Sequence, residues 1–575
     1  MDIQNSNAGT AIALEFVIGV TGHRDVAESD ELELKKHVAK VLIEVKNKFS
    51  KLPCRVISGL AEGADTLVTE VALDLGMPVS AVLPMPCDEY AKDFQGRALK
   101  KYQALIADDR LTVHELAAGA EDLSSDEDRI AQYEALMDFL VRRSNIMLAL
   151  WDGQVIDKKG GTSDVVSRFL SGHAQHSTPA KIPATGPMFE DCGDLTAWIK
   201  TPRKSNAQRI EPDGAVYLVS DASGMVYGEY SEIPSDFHAR WQGFESFGAA
   251  RYSDEAENVT AWPLSSEESL GSSPQAIAIN QEFMRADQLA MSNQSSSDNL
   301  FKIFGLIAGA MGLFFLVYAK LAALKVFLWL YVGLYAVGFV MFKMGADKNW
   351  FSRHLSYRAF AETMRVQYFM LIAGVGREFI PRHVVSLTSV DRFNKFEWLQ
   401  DAVRCMEPLT YEGHQANEAR LNSVKKNWIE DQSAYFSKKL HTLHGQHERL
   451  ETIKNLLMLG SVLGALALIL FKYQLYKLEM AGFEGKTWLV FMMGLLPLWL
   501  AIWELYQGKM ATRELIWQYA NQRRYFVAAQ NQMDAATDIE TKRRILKDLA
   551  ERALGEIYLW SAHRYHREHE PPAAG

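Results

Sequence analysis

The sequence predicts an α/β fold, a doubly wound parallel sheet, followed by an all-α membrane domain whose four transmembrane helices form two hairpins. Three observations carry that expectation. Residues 12–172 alternate short apolar runs with helical stretches, as strand–helix–strand units do. Four stretches in the second half contain no Asp, Glu, Lys, Arg or His. These stretches come in two pairs, each joined by a short loop. The domains expected are 1–275 for the α/β part, 276–423 around the first hairpin (about 303–342) and 424–575 around the second (about 455–503).

The strands are short and continuously apolar, as parallel strands buried on both faces tend to be. They are Phe16–Val20, Arg55–Ser58, Val79–Leu83 and Ile146–Trp151, with helical stretches at Ser29–Phe49, Ala64–Gly76 and Asp126–Arg143 between them. Ser171–Lys204 is rich in Pro, Gly and polar residues and reads as a loop or insertion. Ala215–Ser220 and Met225–Glu229 read as a late strand pair near the sheet edge. The apolar stretches of the second half are Ile303–Ala319, Val326–Phe342, Asn455–Phe471 and Trp488–Trp503, each 16 or 17 residues. That is the short end of what spans ~30 Å of hydrocarbon. Trp329, Tyr331, Tyr335, Trp488, Trp499 and Trp503 crowd these segments, as aromatic residues do at membrane interfaces.

Bulk composition narrows the function. At 575 residues the chain is too long for one core. A net charge of −10 argues against a general nucleic-acid binder. The cysteines Cys54, Cys87, Cys192 and Cys405 are scattered without a CxxC pair. Neither a structural zinc nor a disulfide framework is expected, and a reducing cytoplasm suits the α/β part. The start, MDIQNSNAGTAIALEF, lacks the basic and apolar regions of a signal peptide. An even number of spans then puts both termini in the cytoplasm. Lys343, Lys348, Arg353 and Arg358 follow the first hairpin, and Lys509, Arg513, Arg523 and Arg524 follow the second. The outer loops hold Lys320, Lys325, Lys472, Lys477 and Lys486, so the positive-inside bias is modest.

Candidate ligand residues lie where the strands end, because open α/β sheets bind ligands at the carboxyl ends of their strands. The first strand runs into Thr21, Gly22, His23 and Arg24. The second runs into Ser58, Gly59, Leu60, Ala61, Glu62, Gly63, Ala64 and Asp65. The fourth ends at Trp151, Asp152 and Gly153, and a turn of Gly160, Gly161, Thr162, Ser163 and Asp164 opens the next helix. Glycine permits close backbone approach, and the free N–H groups of a helix start favour phosphate. Ser58 and Thr162 add hydroxyls, Arg24 adds charge, and Glu62 and Asp65 are assigned to ribose hydroxyls or helix capping. His23 reads as a satisfied loop histidine rather than a catalyst, and no catalytic residue is assigned.

These turns resemble the SLOG superfamily, Rossmann-like domains of nucleotide sensors and phosphoribohydrolases. SGLAEGAD also resembles a turn of the DNA-processing protein A family, which binds single-stranded DNA. GGTSD resembles the GGxGTxxE loop of the phosphoribohydrolases, but its extra glycine is missing and the enzyme's Glu position holds Val165. The departure favours a sensor over a hydrolase. In the second half, WFSRHLSYRAFAETMRVQYF (Trp350–Phe369) resembles the signature after the hairpin of the SLATT family, membrane effectors of bacterial conflict systems. WIEDQSAYF (Trp428–Phe436) and WSAHRYHRE (Trp560–Glu568) are similar to further pieces of it.

The first helix of each hairpin carries GxxxG, at Gly305–Gly309 and Gly460–Gly464, which lets membrane helices approach closely. Trp350, Tyr357, Met364 and Leu371 recur every seven residues, as do Trp503, Met510 and Trp517. Such seams are expected to be packing or oligomer contacts. Together the resemblances imply a multi-pass protein of the bacterial inner membrane. It would bind a nucleotide-derived second messenger, made by a separate enzyme, and use no other cofactor. It would act as a homo-oligomer that opens a pore in antiviral defence. The alternatives are a membrane-tethered nucleotide N-glycosidase and a DNA-binding protein.

Overall fold

The computed structural model describes residues 14–116, 125–154, 160–171, 194–205, 213–220, 227–250, 263–264, 273–375, 398–407, 416–480, 482–510 and 512–565. Eight strands form one sheet: β1 (Phe16–Gly22), β2 (Cys54–Ser58), β3 (Val79–Leu83), β4 (Leu111–Glu115), β5 (Ile146–Trp151), β6 (Leu195–Lys200), β7 (Ala215–Ser220) and β8 (Tyr227–Tyr230). Their order is β4-β3-β2-β1-β5-β6-β7-β8. The first six are mutually parallel, and β7 and β8 are antiparallel additions. The chain works outward from β1 to β4 and then returns to place β5 on β1's other side. The order therefore reverses between β1 and β5, which is where a doubly wound sheet opens its crevice.

Strands β1, β3 and β5 are buried almost throughout, which is why they read as unbroken apolar runs. Two strands lie outside the sequence reading. Edge strand β4, LTVHE, buries only Leu111 and His114 and leaves its other residues half-buried. Strand β6, LTAWIK, falls inside the stretch read as a Ser171–Lys204 insertion, yet it pairs along its length with β5. Six residues after a long polar run give too brief an apolar signal to register.

Helices α1 (Glu31–Lys46), α2 (Ala64–Asp74), α3 (Cys87–Tyr90), α4 (Gly96–Ile106), α5 (Asp126–Arg143), α6 (Thr162–Ser171) and α7 (Ser235–Ala250) connect or flank the strands. Helix α1 buries Leu34, Val38, Val41, Leu42 and Val45, one stripe at helical spacing. Helix α5 starts where the Ser125 hydroxyl accepts the Asp128 N–H at 3.1 Å, and it ends on Arg142 and Arg143, which complement its dipole. Phe16 of β1 stacks on Phe49 at 4.3 Å and meets Trp241 of α7 edge-on at 4.9 Å.

The chain forms two compact units, and neither is continuous in sequence. One comprises Met1–Ala286 with Phe360–Arg420; the other comprises Asp287–Ala359 with Leu421–Gly575. The first unit thus reclaims chain well beyond the 1–275 segment assigned to it from sequence.

The helical region comprises α8 (Pro274–Lys320), α9 (Lys325–Lys348), α10 (Trp350–Ile372), α11 (Trp398–Cys405), α12 (Glu418–Val424), α13 (Asp431–Leu470), α14 (Lys472–Lys477), α15 (Gly485–Met510), α16 (Thr512–Ala535) and α17 (Ile539–Tyr565). A π-helical segment, Lys425–Glu430, joins α12 to α13. Among the described residues four helices, Pro274–Lys320, Lys325–Ile372, Glu418–Leu470 and Gly485–Glu504, are long and apolar enough to cross a membrane. Only 6% to 17% of their most apolar windows is buried within the protein. Buried core helices of a soluble domain would show the reverse.

Within the second unit both GxxxG motifs face the same partner. Gly305 and Gly309 lie against Ile502 and Trp499 of α15, and Gly460 and Gly464 against its Leu496 and Met493. The tightest positions are others: a Cβ on Gly312 would lie 2.2 Å from Leu498, one on Gly345 2.4 Å from Leu300, and one on Gly494 2.9 Å from Leu316. In the first seam Tyr357, Met364 and Leu371 are buried inside the chain, which leaves them no surface for a second copy. Trp517, of the second seam, is 65% exposed.

Candidate functional site

Two glycines interlock the turns at the carboxyl end of the sheet. A Cβ on Gly22, closing β1, would lie 2.3 Å from the Ala64 Cβ. Gly63 has φ +87°, and a side chain there would strike the carbonyls of His23 and Arg24. The start of α2 is therefore pressed onto the chain leaving β1, and the Ala64 N–H donates to the His23 carbonyl at 3.0 Å.

The β2–α2 turn is held from inside. Leu60 is buried in the left-handed region (φ +50°), and its N–H donates to the Ser58 hydroxyl at 3.2 Å. The Ala61 N–H points to the Asp65 carboxylate at 3.4 Å. Burial pushes the Asp65 carboxyl up to about 7, although the Ala61 amide and the Arg24 charge favour its ionised form. Asp65 is thus a structural member of the turn. Glu62 is exposed at its tip.

His23 and Asp152 satisfy each other across the β1–β5 crevice. The Asp152 N–H donates to His23 Nε2 at 3.0 Å, and an Asp152 carboxylate oxygen also lies 3.0 Å from that nitrogen. One nitrogen cannot accept from the amide and donate to the carboxylate at once. Burial, and then the Arg203 charge, lower the His23 pKa despite the opposing pull of Asp152. The ring is therefore neutral and accepts the amide proton. Burial opposes the Asp152 charge, but the Gln154 N–H and the Arg203 guanidinium favour it, and its pKa is held low. Arg203 Nε donates to Asp152 at 2.8 Å. Trp151 is buried with its indole N–H on the Gln154 carbonyl at 3.0 Å, and Thr21 is buried below the rim.

The remaining candidates converge on a residue absent from the sequence reading, Tyr133 of α5. The Arg24 guanidinium carbon lies 5.4 Å from the Tyr133 ring centroid, the geometry of a cation–π contact. A Cβ on Gly160 would lie 3.7 Å from Tyr133 Cβ, so the α6 turn packs there too. The Tyr133 hydroxyl donates to Asp93, which also pairs with Arg129; Arg129 reaches Glu89 at 2.9 Å. Tyr90 lies edge-on to Tyr133 at 6.3 Å and donates to the Gly59 carbonyl at 3.1 Å. Gly59 makes room for Leu136, whose Cδ2 would lie 2.9 Å from an added Cβ. Its close approach is thus to α5, where the sequence suggested a ligand. Tyr90, Asp93, Arg129 and Tyr133 escaped detection because they sit on helical segments away from the glycine turns. The long helix returning from edge strand β4 to central β5 was the available signal, since it must cross this end of the sheet.

At α6, Asp164 reaches back to accept the Gly160 N–H at 2.9 Å and pairs with Arg168 at 2.9 Å. It is a helix cap, with both carboxylate oxygens engaged. Val165 is 3% exposed and faces the core. Gly161 and Thr162 lie half-buried at the helix start beside this cap.

The described site is therefore a rim: Arg24 on its Tyr133 platform, the Gly59–Asp65 turn on one side and the Gly160–Asp164 turn on the other. No family model, curated protein or solved structure matches the chain.

Proposed function

We propose that this chain is a membrane-anchored sensor–effector that binds a signalling nucleotide at the rim around Tyr133 and answers by permeabilising the bilayer. The observation that carries the reading is one arrangement: the Arg24 guanidinium over the Tyr133 ring, between the starts of two helices, α2 and α6. Helix starts attract phosphate through their N–H groups and dipoles, and an aromatic face with an arginine above it suits a nucleoside. The four membrane-length helices supply the second half of the reading. In this account the protein sits in a bacterial inner membrane with both termini in the cytoplasm. It acts as a homo-oligomer in antiviral defence, and another enzyme makes its nucleotide.

Sensing is favoured over N-glycosidase chemistry by the fate of the acidic residues. The carboxylate of Asp164 is consumed in capping α6 and pairing with Arg168, and Val165 places an aliphatic side chain in the core. Neither is disposed to activate water. The test is mass spectrometry of small molecules that co-purify with the full-length protein. A phosphate-bearing nucleotide should accompany the unaltered chain and be depleted from Arg24→Ala. Free base with ribose phosphate in its place would favour the enzyme.

A further inference from the structure

We infer that helix α5 is a connecting rod that carries the state of the rim to α11, the segment through which the chain returns to the sheet after its first pair of membrane-length helices. This deepens the proposed sensing role, and it stands on contacts within one compact unit.

The upper half of α5 belongs to the rim. Tyr133 touches Arg24, Tyr90 and Gly160, and Leu136 fills the space left by Gly59. The lower end belongs to α11. Arg142 pairs with Glu407, and Arg143 donates to the carbonyls of Glu407 and Arg404, the latter at 3.3 Å. Immediately after α5, the Ser144 carbonyl accepts from Arg404 at 2.5 Å. The Asn145 amide donates to the Asp401 carboxylate at 3.1 Å, and its oxygen accepts the Val17 N–H at 2.7 Å. One turn of chain thus links the starts of β1 and β5 to α11.

Helix α11 is itself clamped. Arg240 of α7 binds both Asp401 oxygens at 2.7 Å, with side chains 1% and 0% exposed, and Arg404 holds Asp194, just before β6, at 2.5 Å. Buried ion pairs of this kind add little net stability over an apolar core, but they tolerate only one geometry. An α-helix is stiff along its axis, and the nine steps from Tyr133 to Arg142 span about 13.5 Å at ~1.5 Å per residue. A shift of α5 against the rim therefore cannot be absorbed along the helix. It must be met where α11 is bonded.

The test needs no nucleotide, so it separates this inference from the sensing proposal. Amide hydrogen exchange is followed on the full-length protein in detergent micelles. Tyr133→Ala should speed exchange across Trp398–Cys405 by at least about tenfold. Tyr133→Phe, which keeps the ring but loses the bond to Asp93, should produce a smaller change of the same kind and serves if the alanine variant does not fold. With Arg142→Gln and Glu407→Gln removing one bond of the lower link, the rim substitution should alter α11 less. Leu218→Ala, a buried lesion on β7, is the comparison for general destabilisation. Unchanged exchange at α11 in the Tyr133 variants, or an equal change with Leu218→Ala, overturns the connecting rod.

Discussion

Replacing Asp65 with asparagine should stabilise the protein at alkaline pH and leave it unchanged in acid. Burial raises the folded-state pKa of this carboxyl from 3.8 to about 7. In the unfolded chain it titrates near its ordinary value. The favourable contribution of the protonated group is therefore complete below about pH 4, falls as pH rises toward 7, and is flat above that. Three units at ~1.4 kcal/mol each give about 4 kcal/mol as the upper bound. Asparagine has nearly the same shape, stays neutral and keeps an oxygen for the Ala61 N–H. Asp65→Asn should accordingly gain about 2–4 kcal/mol at pH 8 and nothing near pH 4. Urea unfolding in micelles, read with exchange protection of α2 at both pH values, measures the difference. A variant no more stable at pH 8, or a gain of equal size at both pH values, would refute the assignment of a buried, reluctantly charged carboxylate.

Arg24→Ala should weaken nucleotide binding about 10- to 100-fold, the worth of a charge-assisted contact, with little change in stability because the side chain is exposed; calorimetry with the co-purified nucleotide reads both. Gly312→Leu and Gly494→Leu should loosen α8 from α15 and lower resistance to urea in micelles, by about 1–3 kcal/mol on overpacking grounds. Gly309→Ala, with its nearest neighbour at 3.6 Å, should be tolerated, and the reverse ranking would show that the GxxxG motif sets the contact. Nucleotides incubated with the protein should be recovered intact by chromatography, whereas turnover that depends on Asp164 would identify an enzyme.

What the sequence revealed follows from how each element is buried. Strands β1, β2, β3 and β5 were legible because burial on both faces leaves continuous apolar runs. Strands β4 and β6 were hidden by the polar residues that an edge strand and a six-residue strand after a polar run can carry. Helix α11 was illegible for another reason. WLQDAVRC looks like a surface helix, and its burial depends on distant partners, among them the charges of Arg240 and Asp194. The site followed the same division. Glycines marked the turns, because a close approach or a positive φ leaves a local trace. They did not mark Tyr133, whose role depends on where a crossing helix lies. The reading of Asp152 and His23 as ligand groups missed that Arg203, beyond an unrecognised strand, already completes them.

The central claim, that occupancy of the rim opens the membrane, is tested most directly by dye release from liposomes carrying the full-length protein. The nucleotide recovered with the purified chain is added back at concentrations where calorimetry shows binding. The account predicts rapid, poorly ion-selective leakage, because none of the four apolar stretches contains Asp, Glu, Lys, Arg or His to form a charged filter. Arg24→Ala liposomes should leak only at proportionately higher nucleotide. Liposomes that stay tight with the unaltered protein saturated would contradict the account.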